Sequence, residues 1–172
     1  MATPVADQGK LYLLALLVAS SSTFQTLVGA ADAAAALNSV YYPWADDDDT
    51  YPRAVVHYMQ RSRVRVGPPV GQRFKATDNY LVAFEFEIPD AEAGSTKDQW
   101  SWFNKKTDDI WGEMEILAGT GSSGVNNLAH FNMVQHEELS MFRMPAEERA
   151  HTDPETGKPK PLWIQNSEVM HQ

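Results

Sequence analysis

The sequence predicts an α+β fold, an antiparallel or mixed β-sheet packed by an N-terminal helix and one long amphipathic helix. Three observations carry that expectation. Tyr80, Val82, Phe84, Phe86 and Ile88 alternate with Glu85 and Glu87, the period-two pattern of a strand with one covered and one polar face. Trp100, Phe103, Thr107, Ile110, Trp111, Met114 and Leu117 recur at three- and four-residue steps, which draws a helical stripe. Leu11 to Ala19 is an unbroken run of nine apolar residues. With 172 residues, one domain spanning 1–172 is expected, with an N-terminal arm over 1–8 and a long loop over 145–161.

Composition narrows the classes. An apolar fraction of 43% and five tryptophans suffice for a packed core, since a chain of this size buries about 70% of its unfolded surface. There is no cysteine, so neither disulfides nor a thiolate metal site can form. A formal charge of −9 disfavours sequence-independent nucleic-acid binding, which draws on many Lys and Arg contacts to phosphate.

Taken in order, Lys10 to Ala19 is apolar nearly all round, as expected of a helix covered on more than one side. The run is too short to span a bilayer, which needs about 20 residues. Asp7 offsets Lys10 ahead of it, so a secretory signal ending near Val28-Gly29-Ala30 is the weaker reading and an intracellular origin is expected. A hydroxyl among Ser20 to Thr23 caps a short turn, Phe24 to Val28, that stops at Gly29. Alanine-rich Ala30 to Leu37 leads to Tyr41-Tyr42-Pro43, and Asp46 to Asp49 precede Tyr51-Pro52-Arg53.

Ala54 to Tyr58 reads as a strand. In Arg61 to Val66 the two valines face one way and Arg61, Arg63 and Arg65 the other, until Gly67-Pro68-Pro69 ends the segment. Ser95 or Thr96 starts the amphipathic helix, Asp98 suits its positive end, and Gly119 follows its last turn. That helix is expected on the Tyr80–Ile88 face. Leu128 to Met144 holds one or two strands, with a helix over Leu128 to Leu139 as the alternative, and Leu162 to Val169 reads as a closing strand.

No chemistry-bearing motif stands out. Four consecutive aspartates cannot all turn toward one cation, and the glycine and distant glutamate of a calcium loop are missing. His130, His136, Glu137 and Glu138 lack the spacing that sets two histidines on one helical face. Gly119 to Gly124 is glycine-rich without the lysine of a phosphate loop. The arginine face has three readings. It could touch an acidic neighbour such as the Asp46–Asp49 loop of an adjacent copy, line a channel for DNA, or keep an exposed strand soluble.

The apolar N-terminal helix with Phe24 to Gly29, then Tyr41-Tyr42-Pro43, then Tyr51-Pro52-Arg53-Ala54-Val55-Val56, resembles the front half of bacteriophage tail terminator (tail completion) proteins. A charged strand pair, the Tyr80–Ile88 strand, the Asp98–Ala118 helix and a final strand pair continue the likeness. It covers most of the chain as an order of elements, without fixed motif residues. The tryptophan-rich helix and the long loop depart from the pattern.

The resemblance implies a virion structural protein made in the host cytoplasm. It would form a ring, typically hexameric, that caps the tail tube and joins it to the head-side neck. No catalysis and no cofactor are implied. Interface or lumen residues would be Arg61, Arg63, Arg65 and Asp46, Asp47, Asp48 and Asp49. The partners would be other copies, the tail tube protein and a neck protein, with DNA passing through without specific binding and no membrane engaged. A head–tail adaptor or stopper is the alternative, and a secreted small-ligand binder a more distant one.

Overall fold

A computed structural model describes residues 6–44, 50–67, 70, 73–92, 94–118, 131, 133–149 and 160–171. The fold is α+β. Four α-helices, α1 (Ala6–Ala19), α2 (Ser22–Val28), α3 (Ala33–Ala36) and α4 (Thr96–Leu117), accompany five strands. These are β1 (Val40–Tyr41), β2 (Arg53–Val66), β3 (Arg73–Glu87), β4 (Met133–Met144) and β5 (Leu162–His171). The strands form one mixed sheet in the order β1-β2-β3-β5-β4. Only β1–β2 is parallel.

Helix α1 begins at Ala6, inside the 1–8 span expected as an arm, because the apolar run that follows is buried, and residues 1–5 lie outside the described residues. Leu11, Leu14, Ala15, Leu17, Val18 and Ala19 are buried, which explains a helix without a polar stripe. Ser20 ends it by bonding back to the Leu16 carbonyl. Ser21 then caps α2, accepting the Phe24 N–H at 3.1 Å. Gly29, at φ 68°, closes α2. The Ala30 N–H reaches the Gln25 carbonyl and the Gly29 N–H reaches Thr26, a pairing that needs a left-handed residue at this point. The bend between α1 and α2 is 77°, and no single described helix is long and apolar enough to cross a membrane.

The helices cover one face of the sheet. Tyr80, Val82, Phe84, Phe86 and Ile88 are all buried there, as the alternation requires. Edge-to-face contacts join Phe84 to Trp111 and Phe86 to Phe103, with centroids 5.6 and 5.4 Å apart. Ser95 and Asp98 build a reciprocal capping box at the start of α4. The buried stripe of α4 is Gln99, Phe103, Thr107, Ile110, Trp111 and Met114. Trp100, expected in the stripe, is half-exposed. Gln99 takes the inward position because its side-chain oxygen accepts from Trp163 Nε1 and Arg143 Nε. Gly119 lies outside the described residues.

The two extended pieces read from the sequence before Gly67 are one strand, β2, interrupted by a bulge. Tyr58 pairs with Tyr80 and Gln60 with Asn79, leaving Met59 over. Likewise β3 begins at Arg73, seven residues before the alternation becomes visible. The helix alternative for Leu128 to Leu139 is overturned where the structure describes it, since Met133 onward is strand. Bulges between Met133 and Gln135 and between Glu138 and Ser140 shift side chains from face to face, which erased the period-two signal.

The loop after β4 opens with a 3₁₀ turn, Ala146–Glu148. Arg149 pins it to the sheet face away from the helices, donating to Glu87 Oε1 and to the Lys160 carbonyl, each at 2.6 Å. Its guanidinium also lies over the Tyr51 ring, 4.8 Å from the centroid.

Candidate interaction surfaces

Two surfaces stand apart from the packed body, and both follow from how the strands pair. The first is the far end of the β2–β3 hairpin. β5 pairs with β3 only from Asp78 to Glu87, and β1 pairs with β2 only at Ala54 and Val55. From Ser62↔Thr77 to Val66↔Arg73 the two strands pair only with each other among the described residues. Five such pairs extend about 17 Å at strand rise. This ribbon is basic. Between Arg61 and Lys75 the sequence holds five Lys or Arg and no Asp or Glu.

The Met59 bulge decides where those charges go. Before it, Ala54 and Val56 are buried under the helices. After it, the parity is reversed, so Arg61, Arg63 and Arg65 take the helix side of the sheet. Arg61 is the anchor, with Nε and Nη2 donating to the two carboxylate oxygens of Asp78 at 2.7 and 3.1 Å. Asp78 is almost covered, at 7% exposure. Arg63 and Arg65 are exposed. Lys75, opposite Val64 in the register, lies on the reverse face and is exposed too. The ribbon is therefore positive on both sides.

The second surface is the opposite edge, where β4 is the last strand and α4 lies above it. From Thr107 to Phe142 the sequence has six acidic residues and no Lys or Arg. Asp108, Glu115, Glu137 and Glu138 are exposed. Glu115 and Asp108 lie near His136, whose ring stacks on Trp111 with centroids 3.7 Å apart and planes at 16°. Burial pushes the His136 imidazole below its ordinary 6.5, while Glu115 and Asp108 pull it back up. Glu138 accepts from Gln165 Nε2 at 2.9 Å, and Gln165 also accepts from Trp111 Nε1 at 2.9 Å and donates to Thr107. This network ties the edge to α4. Val134, Leu139 and Phe142 on the same strand are about half exposed. An edge strand with apolar side chains in reach of solvent offers unpaired backbone to another chain, and its two bulges discourage indiscriminate strand pairing.

Asp46 to Asp49 lie outside the described residues. His130 lies outside them as well. Among the described residues no group of three or more His, Asp or Glu could hold a metal ion. His136 and Glu138 share the helix side of β4, whereas Glu137 lies on the other. The acidic edge was missed by sequence reasoning, although the base-free stretch from Thr107 to Phe142 was a readable signal.

One polar hub serves the fold. Glu113 accepts from Ser21 Oγ, Ser22 Oγ, the Thr23 N–H and Thr23 Oγ1 at 2.6, 3.1, 3.0 and 2.7 Å, fixing the start of α2 to α4. Partial burial alone would raise its carboxyl, and the bonds from Ser21, Thr23 and Ser22 outweigh that and leave it below the ordinary 4.5. Compared with protein-family models and with curated proteins, the sequence has no match.

Proposed function

We propose that this protein is a structural component of a phage neck, of the tail-terminator kind, that assembles into a ring of identical copies. The observation that carries the reading is the basic β2–β3 ribbon, which runs beyond the body of the sheet on a chain of charge −9. An unsupported two-stranded ribbon is marginally stable on its own, so a neighbour that embraces it gives it a reason to persist. The element order supports the same reading. An apolar helix, a capped turn, a long hairpin, a single aromatic-rich helix and a closing strand pair follow one another as in the resemblance stated above.

In this reading the protein works by shape and contact and not by chemistry on a substrate. Copies join head to tail, and the ring closes because the rotation per subunit divides a full turn. The tail tube meets one rim and the head-side neck the other, and DNA passes through the lumen without sequence-specific contact.

Native mass spectrometry and negative-stain imaging of the purified chain test the proposal, alone and with tail tube protein. The expected result is a discrete ring, six-fold in the terminator case. A monodisperse monomer under both conditions would remove it. The alternative, a head–tail adaptor, is separated by co-sedimentation, since an adaptor binds the portal and a terminator binds the tube.

A further inference from the structure

We infer that the β2–β3 ribbon of one copy seats on the edge formed by β4 and α4 of the next, basic face to acidic edge. The inference rests on the ring reading and names its subunit contact. Charge segregation is the first argument. Five basic residues and no acid lie between Arg61 and Lys75, while the opposite edge exposes Asp108, Glu115, Glu137 and Glu138, with Glu113 engaged at the start of α2 and Asp109 paired with Lys105. Surfaces of opposite sign on one chain attract between copies and repel between like surfaces, which fixes both partner and register.

Geometry is the second. β2 and β4 are separated by β3 and β5, three strand spacings or about 14 Å across the sheet, and the ribbon also runs past the last β3–β5 pair at Asp78. That places donor and acceptor surfaces at opposite edges, the arrangement a head-to-tail contact requires. The ribbon bears exposed charge on both faces, Arg63 and Arg65 on one and Lys75 on the other. The edge is acidic on both sides as well, with Glu115 and Glu138 on the helix side and Glu137 on the reverse. Exposed Leu139 and Phe142 supply apolar area between these charges. The bulges in β4 make a continuous backbone ladder unfavourable, so side chains carry the recognition.

Complementary charge reversal tests the contact. Arg63→Glu with Lys75→Glu forms one variant, Glu115→Lys with Glu137→Lys the other, and none of these four positions is in the core. Each variant alone is expected to lose assembly by about tenfold or more in concentration, with circular dichroism and melting temperature unchanged. Mixed in equal amounts, the two are expected to assemble again, because each supplies the surface the other has inverted.

Neutralising Asp46 to Asp49 together is expected to leave assembly intact. Loss of assembly there, with indifference to the reversals, would move the contact to that loop and overturn this inference while leaving the ring. A wild-type chain that never assembles would overturn both. Should a reversal disturb folding, the glutamine pairs Arg63→Gln with Lys75→Gln and Glu115→Gln with Glu137→Gln must each still weaken assembly. Unchanged assembly in both pairs rejects the contact. Retention of the ribbon on double-stranded DNA at physiological salt, with assembly indifferent to the reversals, would instead make it a lumen element.

Discussion

The same two strands lead different lives at their two ends. Near Ala54–Tyr58 and Tyr80–Glu87, the β2–β3 pair lies under helices α1, α2 and α4, and Phe84 meets both Phe24 and Trp111. Beyond Met59 and Asp78 the pairing continues in register, yet among the described residues no third strand pairs with it from Ser62 to Val66. Hydrophobic burial dictates residue choice at the first end and charge at the second. Backbone hydrogen bonding is common to both, so it cannot be what distinguishes them. The difference teaches that strand continuity alone does not mark the core. One inserted residue, Met59, turns the arginines onto the side occupied by the core residues of the first half, where the helical layer no longer covers them.

The comparison breaks most severely at Phe84. Phe84→Ala removes a fully buried ring from the junction of α2, α4 and the sheet. It should cost about 3–5 kcal/mol, read as a large fall in the guanidinium midpoint. A fall below about 1 kcal/mol would mean that the core does not close around this ring. Glu113→Gln should cost less, about 1–3 kcal/mol, because it weakens charge-assisted bonds from four donors to the start of α2.

The pH dependence gives the Glu113 effect a sign. Its folded carboxyl lies below the ordinary 4.5, so its contribution is complete above that value and is lost as pH falls through the folded pKa. The gap between wild type and Glu113→Gln should therefore narrow in acid. His136 acts earlier with the same sense. Buried below its ordinary 6.5, it lets the unfolded chain bind a proton first, so acidification through that value lowers stability. Replacing His136 with a neutral aromatic should flatten the stability profile near pH 6 and leave the Glu113 step below pH 4.5 in place.

How much of this was legible in the sequence depended on whether burial wrote a regular period. Tyr80 to Ile88 and the α4 stripe were readable because one face of each is dry. The caps Ser21, Gly29 and Ser95 were readable because their chemistry is local. Arg73 to Asn79 was not, since Lys75 and Ala76 are exposed and the buried residues there, Asp78 and Asn79, are polar, so no apolar alternation is displayed. β4 was ambiguous because its bulges at Val134 and Leu139 break parity twice within twelve residues. Hydrophobicity alone points Trp100 inward, whereas the partner that Trp163 and Arg143 require draws Gln99 into that place. The arginine face was visible from spacing. Its link to Asp78 needed the register, and the acidic edge needed the strand order.

The smallest effect on stability sharpens the comparison best. Arg63→Ala should change folding free energy by no more than about 0.5 kcal/mol, as expected of an exposed side chain outside the core. Hydrogen exchange on the unassembled chain should show why. Amides from Ser62 to Val66 lie in a ribbon that pairs with no third strand among the described residues, so they should exchange through local fluctuation, far faster than Ala54 to Tyr58. Those of Ala54 and Val56 sit in the buried half and should wait for opening on the scale of the whole domain. Addition of copies at ring-forming concentration should then slow Ser62 to Val66 selectively while leaving the core amides as they were. Uniform protection along β2 in the isolated chain would show instead that the ribbon is held by its own molecule, and the contrast between its two halves would collapse.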